Sequence, residues 1–300
     1  MKKLRKRIES RSMKAKTESK NVKLSKGGGP DASALPAVVD RAIFQAKLDT
    51  LRVREKAHTH KGDAIAAARR RLPMVEVDST IALTGPHGPV TLLDAFEGRR
   101  MLIAYYFMWH KGKPAPEQCE GCTWVTSQVH ELSYVHSRDV TFAVFCQGPY
   151  DESARYREFM GWETPWYSAQ GSSLNTLLTG PRVGMMNIVC YLRQGSNVFE
   201  TYWTTIRGVE AMDNNYRLLD LTVYGRQETW EDSPAGWPQG DIMDTLCTDG
   251  RPTPQWARLK AGHSDDLGTD RKSSGERRRK SVRNRMGLSG AQTATERPLC

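Results

Sequence analysis

Residues 101–122 read Met-Leu-Ile-Ala-Tyr-Tyr-Phe-Met-Trp-His-Lys-Gly-Lys-Pro-Ala-Pro-Glu-Gln-Cys-Glu-Gly-Cys, and the order of their properties decides the fold class. Met101 to Trp109 is the longest apolar run in the chain. It is bounded by Arg99-Arg100 and His110-Lys111, the length and setting of a strand buried on both faces. After a Pro-containing approach, Cys119-Glu120-Gly121-Cys122 opens a segment in which Cys122, Val125, Val129, Leu132 and Val135 recur every three or four residues. That spacing predicts a helix from Cys122 to His136 with Cys122 on its core-facing stripe. Cys119 lies one turn earlier and is expected to be exposed. Strand, dithiol loop and helix in this order indicate an α/β unit. They put the thiols where unpaired backbone N–H groups and the helix dipole stabilise a thiolate.

The rhythm continues outward. A strand over Val140 to Cys146 and a helix over Glu152 to Met160 follow, the two strands expected to be parallel. After Trp166-Tyr167-Ser168, segments Met185 to Leu192 and Val198 to Thr205 flank Arg193-Gln194-Gly195-Ser196-Asn197, which reads as an antiparallel hairpin. A helix over Val209 to Leu219 closes the domain. Upstream, Val75 to Val77, Ile81 to Leu83 and Val90 to Leu93 alternate around a Gly85-Pro86-His87-Gly88-Pro89 turn and suggest a β entry. Earlier still, Val38 to Arg71 predicts two helical pieces divided near Lys61-Gly62-Asp63 and stopped by Leu72-Pro73.

The formal charge of +10 is unevenly spread: residues 1–30 carry +9, residues 251–300 carry +7, and the middle is left at −6. The organisation expected is therefore a basic disordered leader over 1–34 and a helical extension over 35–71. An α/β domain over 72–228 follows, then an irregular segment over 229–263 and a basic disordered tail over 264–300. The folded part needs no polyanionic partner. Lys2-Lys3-Leu4-Arg5-Lys6-Arg7 and Arg277-Arg278-Arg279-Lys280 lack interleaved aromatics, so any nucleic-acid contact is expected to be non-specific. No apolar run reaches the length of an export signal or a membrane span, and the expectation is a cytoplasmic protein with no membrane partner.

Six cysteines in a reducing compartment are not a disulfide scaffold, which leaves the close pair to be explained. In the redox reading Cys119 attacks a disulfide and the more buried Cys122 resolves the mixed disulfide, with no cofactor beyond the disulfide itself. Glu117 and Glu120 would raise the pKa of Cys119, while His110, Lys111 and Lys113 would lower it. The bland alternative is two small apolar residues at a helix start. A zinc site would draw on Cys119, Cys122, His130 and His136, but six residues separate the histidines on one helix, and no metal is expected. A thiol peroxidase would show Pro-x-x-x-Thr/Ser-x-x-Cys, whereas Pro116 and Cys119 occupy the hydroxyl positions and Gly112 and Ala115 the proline positions. Cys146 and Cys190 read as inert strand residues. Trp109, Trp162, Trp166 and Trp203 read as core, and Trp124, two residues past the dithiol, as a possible wall of a substrate groove.

Several stretches together resemble a known family: Arg71-Leu72-Pro73-Met74-Val75, Tyr105-Tyr106-Phe107-Met108, Cys119-Glu120-Gly121-Cys122, Arg138-Asp139-Val140-Thr141-Phe142-Ala143-Val144 and Leu218-Leu219-Asp220-Leu221-Thr222. They are similar to a bacterial thioredoxin-like family of unknown function, labelled predicted dithiol-disulfide oxidoreductases. The resemblance runs from about Leu35 to Glu228. It implies a thioredoxin-like fold, a mixed central sheet flanked by helices with an amino-terminal helical extension, and a dithiol at Cys119 and Cys122. Its partner would be a protein or small-molecule disulfide or thiol. The proline that faces the dithiol in thioredoxins has two candidates here, Pro165 and Pro181, which with Trp124 would line the substrate groove.

Overall fold

A computed structural model of the chain describes residues 35–174 and 186–269. The basic leader over 1–34, Pro181 and the tail from residue 270 lie outside the described residues. Residues 35–38 and 232–238 form a small separate unit, and the architecture below belongs to the main one.

The apolar run becomes strand β4, Met101–Phe107, in the middle of an eight-stranded mixed sheet. The other strands are β1 (Val75–Val77), β2 (Ala82–Gly85), β3 (Gly88–Thr91), β5 (Val140–Cys146), β6 (Trp166–Ser168), β7 (Asn187–Gln194) and β8 (Asn197–Thr205). Their order is β1-β8-β7-β4-β5-β6-β2-β3. β4 pairs parallel with β5 from Met101↔Val140 to Phe107↔Cys146, and antiparallel with β7 on its other side. The expected hairpins form, β2 with β3 around Pro86-His87 and β7 with β8.

β4 is apolar throughout, and β5 is too apart from Thr141, because each face of the sheet carries its own core. Tyr105, Phe107, Phe142, Val144 and Cys146 face one side, and Leu102, Ala104, Tyr106, Ala143 and Phe145 the other, the period-two alternation of a strand. The architecture is mixed α/β, and its sheet is larger than a thioredoxin core.

Three expectations about helices need correction. The amino-terminal extension is one helix, α1 (Arg41–Arg69), and runs through Gly62, where an added Cβ would meet no neighbouring atom. An isolated glycine weakens a helix by about 1 kcal/mol without ending it. The helix expected over Cys122–His136 is instead α2 (Glu120–Thr126) and α3 (Ser133–His136). Thr123 and Ser127 bond back to the carbonyls of Cys119 and Thr123, and Glu131 accepts from Ser133 N, so local polar groups end one helix and start the next.

The helix expected over Val209–Leu219 is a 3-10 stretch, Ile206–Met212, and then α5 (Asn214–Leu219); α4 is Tyr150–Met160. Asp213 divides them by accepting from Tyr216 N at 3.0 Å as the cap of α5.

The segment expected to be irregular is ordered in part. It carries α6 (Met243–Leu246), a ladder of β9 (Cys247–Thr248) with β10 (Arg251–Pro252), and α7 (Gln255–Lys260). The core extends past the boundary drawn at residue 264, since Leu267 is 2% exposed within the same apolar cluster as the dithiol. Trp203, read as core, is 44% exposed. Among the described residues no helix is long and apolar enough to cross a membrane.

Candidate functional site

The dithiol sits where β4 hands over to α2. The loop between them, residues 108–118, is held open by Gln118, which is almost fully buried. Its Nε2 donates to the carbonyls of His110 and Lys113 at 2.9 Å each, and its Oε1 accepts from His110 N at 3.0 Å. Glu152 of α4 accepts from Trp109 Nε1 and Gly112 N. The Trp109 ring lies against Gly148, where an added Cβ would stand 1.9 Å from a ring carbon. Only glycine permits that approach.

Cys119 is the cap residue of α2, and its Sγ accepts from Cys122 N at 3.3 Å. It is 4% exposed, against the expectation of an exposed nucleophile. Two further pieces of chain pack against the segments on either side of it. Met186, just before β7, lies against Gly121, its sulfur 3.4 Å from where a Cβ would be. β10 packs against both the turn at Ala115–Glu117 and α2, the two segments that flank Cys119.

The two thiols have opposite acidities. The Cys119 thiol is held below the ordinary cysteine value, chiefly because the Cys122 S–H donates to it; the N–H groups of Cys122 and Gly121 act the same way, against burial and the Glu120 charge. Cys122 is pushed well above the ordinary value by complete burial, and then by its bond to Cys119 and the Cys119 charge. Met108 N donates to Cys122 Sγ at 3.3 Å and partly offsets this.

The charges weighed in the sequence are largely spent elsewhere. Lys113 pairs with Glu117 at 2.8 Å, and the His110 ring contacts the Glu117 carbonyl at 2.7 Å. Helix α2 has two turns only, so the lowering at Cys119 comes from individual donors more than from a helix dipole.

Two partners of the dithiol went unread in the sequence. The Tyr105 hydroxyl is fully buried beside both sulfurs and offers its O–H to Cys122, whose pKa it lowers against the larger effect of burial. Burial keeps that phenol protonated by raising its pKa far above normal. The second partner is a directed chain. Gln255 Nε2 donates to Tyr156 OH at 2.7 Å, Tyr156 OH meets Thr123 Oγ1 at 2.7 Å, and Thr123 Oγ1 donates to the Cys119 carbonyl at 2.7 Å. The Thr123 proton is committed to Cys119, so Tyr156 is the donor to Thr123. Tyr105 was legible from alternation along β4, on the face of Phe107. The Asp249-Gly250 pair, both at positive φ between β9 and β10, was the available sign of the hairpin that brings Gln255 near.

The remaining site candidates scatter. Trp124 projects from α2, but its Nε1 donates to Asp213 Oδ2 at 2.7 Å and its ring lies beside Tyr216. Pro165 precedes β6, which the pairing Val144↔Trp166 sets level with the middle of β4 and two strands away, roughly 10 Å from it. Its peptide bond is trans, as are all others described. Pro181 lies outside the described residues.

His130 is exposed beyond α2 and His136 is on α3. No three His, Cys, Asp or Glu side chains among the described residues gather in a way that could hold a metal ion. The Cys146 thiol is pushed up to about 12 by burial, in keeping with an inert strand residue, whereas Cys190 is only half-buried.

Comparison with protein families matches residues 33–244 to a family described as bacterial protein of unknown function, DUF899. The chain belongs to that family. A comparison with curated proteins finds no match. The DUF899 match takes in α1, the whole sheet, the dithiol and α5, and it stops within α6. β9, β10 and α7, of which β10 and Gln255 contact the dithiol loop, therefore lie beyond the DUF899 match.

Proposed function

We propose that this protein is a thiol-disulfide oxidoreductase in which Cys119 is the nucleophile and Cys122 the resolving thiol. The observation that carries the reading is the placement of the pair directly after β4, with Cys119 capping α2 and its Sγ accepting from Cys122 N at 3.3 Å while Cys122 is fully buried. The lowered pKa of Cys119 and the raised pKa of Cys122 agree with it. The Cys119 thiolate attacks one sulfur of a disulfide, forming a mixed disulfide and expelling a thiolate. The Cys122 sulfur then attacks Cys119 Sγ and expels the second sulfur, which leaves with the Cys122 proton. The substrate gains two electrons and the protein keeps a Cys119–Cys122 disulfide. Tyr105 supports the second step by offering its O–H to Cys122 as that sulfur takes on charge.

A thioredoxin-like core is part of the same reading. The central order β8-β7-β4-β5, with β4 and β5 parallel, β7 and β8 antiparallel, and the dithiol directly after β4, supports it. Work in a reducing compartment such as the cytoplasm, where a dithiol can cycle, belongs to the same reading.

The test is thiol trapping of the full chain carrying Cys247→Ser and Cys300→Ser across a glutathione or dithiothreitol series. A reversible Cys119–Cys122 disulfide with a potential between about −120 and −270 mV is expected. A pair that stays reduced under every poise would leave a non-catalytic scaffold as the better description.

A further inference from the structure

The geometry points to a substrate-size gate: residues 247–260 form a cover over the dithiol which, when seated, confines exchange to low-molecular-weight disulfides and thiols and shuts out protein disulfides. This rests on the exchange chemistry proposed above, and it follows from the unexpected burial of Cys119. Attack on a disulfide needs the incoming sulfur pair to approach the thiolate nearly end-on, with the chains on both sides of the S–S bond accommodated. At a residue 4% exposed the bulk of a folded protein on either side of the bond is excluded, whereas a small disulfide with short flanking groups needs only a local opening.

The cover is anchored at a few named points. Pro252 of β10 is buried, with β10 against the Ala115–Glu117 turn on one side of Cys119 and α2 on the other. Gln255, fully buried at the start of α7, uses both amide protons, on the Ala115 carbonyl at 2.7 Å and on Tyr156 OH at 2.7 Å. Its Oε1 accepts from Arg251, whose other nitrogen pairs with Asp265 at 2.9 Å.

Leu259 also packs against the apolar cluster of the dithiol, and Arg258 donates to the Phe159 carbonyl at 2.9 Å. Even so, strands of two residues and a helix of six, held at the edge of the core, open at a lower cost than the eight-stranded sheet beneath them, and their release gives a minor open state. Because Gln255 ends the chain of hydrogen bonds that reaches the Cys119 carbonyl, seating the cover and ordering the nucleophile's backbone are one event.

The experiment compares the full chain with Gln255→Ala and with the milder Arg251→Ala, so that one foldable variant remains if the first unfolds. Reduced Cys119, with Cys247 and Cys300 replaced by Ser, is alkylated by iodoacetamide and by a maleimide on a polymer of protein size. Reduction of glutathione disulfide and of insulin is followed in parallel. The wild type is expected to react with the small probes and hardly with the large ones. In the variants the large-probe rates should rise about tenfold or more, in proportion to the open population, with small-probe rates changed less than about twofold. Equal access of both probes in the wild type would overturn the gate, as would variants that accelerate both probes alike. If the large alkylating probe is gated but Cys119 and Cys122 never form a disulfide, the gate stands and the exchange reading fails.

Discussion

Tyr156 places its hydroxyl 2.7 Å from that of Thr123, and this contact couples helix α4 to the carbonyl of Cys119. Both groups are fully buried. Tyr156→Phe keeps the ring and its edge contacts with Phe107 and Trp162 but strands the Gln255 amide and removes a donor from Thr123. A buried polar group left unsatisfied costs about 1–3 kcal/mol, and urea unfolding should show a loss in that range. An unchanged midpoint would mean that the chain is not maintained in solution.

The acidity of Cys119 depends first on the Cys122 thiol, so the choice of substitution at Cys122 has opposite consequences. Cys122→Ala removes the donor and should move the pH midpoint of Cys119 alkylation upward, whereas Cys122→Ser keeps an O–H donor and should leave it low. The same shifts set the pH dependence of stability. Between the lowered pKa of Cys119 and the ordinary thiol value, the unfolded chain holds a proton that the folded chain has lost, so this group adds stability as pH rises. Cys122 works the other way: its raised pKa protects the fold below the ordinary value, and that contribution is lost at higher pH. Unfolding of wild type minus Cys119→Ala across pH 6–9 should show the rise; a flat difference would deny the lowered pKa.

How much of this was legible follows from the range of the interactions. β4, β5 and the β7–β8 hairpin were readable because apolar run length and period-two alternation are local properties, and β5 was read to its end residues. The dithiol was readable as a spacing. The burial of Cys119 was not, because the chain that packs beside its loop includes Arg251–Pro252 and Gln255, more than 120 residues away in a stretch whose short elements carry no periodic signal. Helix boundaries failed for a different reason. Asp213 and Glu131 look like ordinary surface acids in sequence, and only their hydrogen bonds to Tyr216 N and Ser133 N show that each starts a new helix.

Trp124 separates a structural role from a substrate-binding one. Its Nε1 bond to the buried Asp213 carboxylate joins α2 to α5, and Trp124→Phe should lower stability by about 2 kcal/mol, the range for a hydrogen bond to a charged group. If the ring also lined a substrate groove, KM for a small disulfide would rise in this variant while the alkylation rate of Cys119 stayed constant. Loss of stability with unchanged KM would assign Trp124 to the fold alone.

Gly148 tests whether the loop that delivers the dithiol is held by packing. A methyl group there would stand 1.9 Å from Cδ1 of Trp109, and the ring is boxed in by Phe107 and Tyr156 at centroid distances of 6.3 and 5.5 Å. It therefore cannot move aside without giving up its bond to Glu152, the residue that also holds Gly112 N. Gly148→Ala should cost about 3 kcal/mol, at the upper end for overpacking a core, and should loosen residues 109–118. Faster hydrogen exchange at Gly112 and Gln118, with β5 still protected, is the expected signature. The same stability loss with exchange raised evenly over β4 and β5 would instead mean that the ring supports the sheet and not the approach to Cys119.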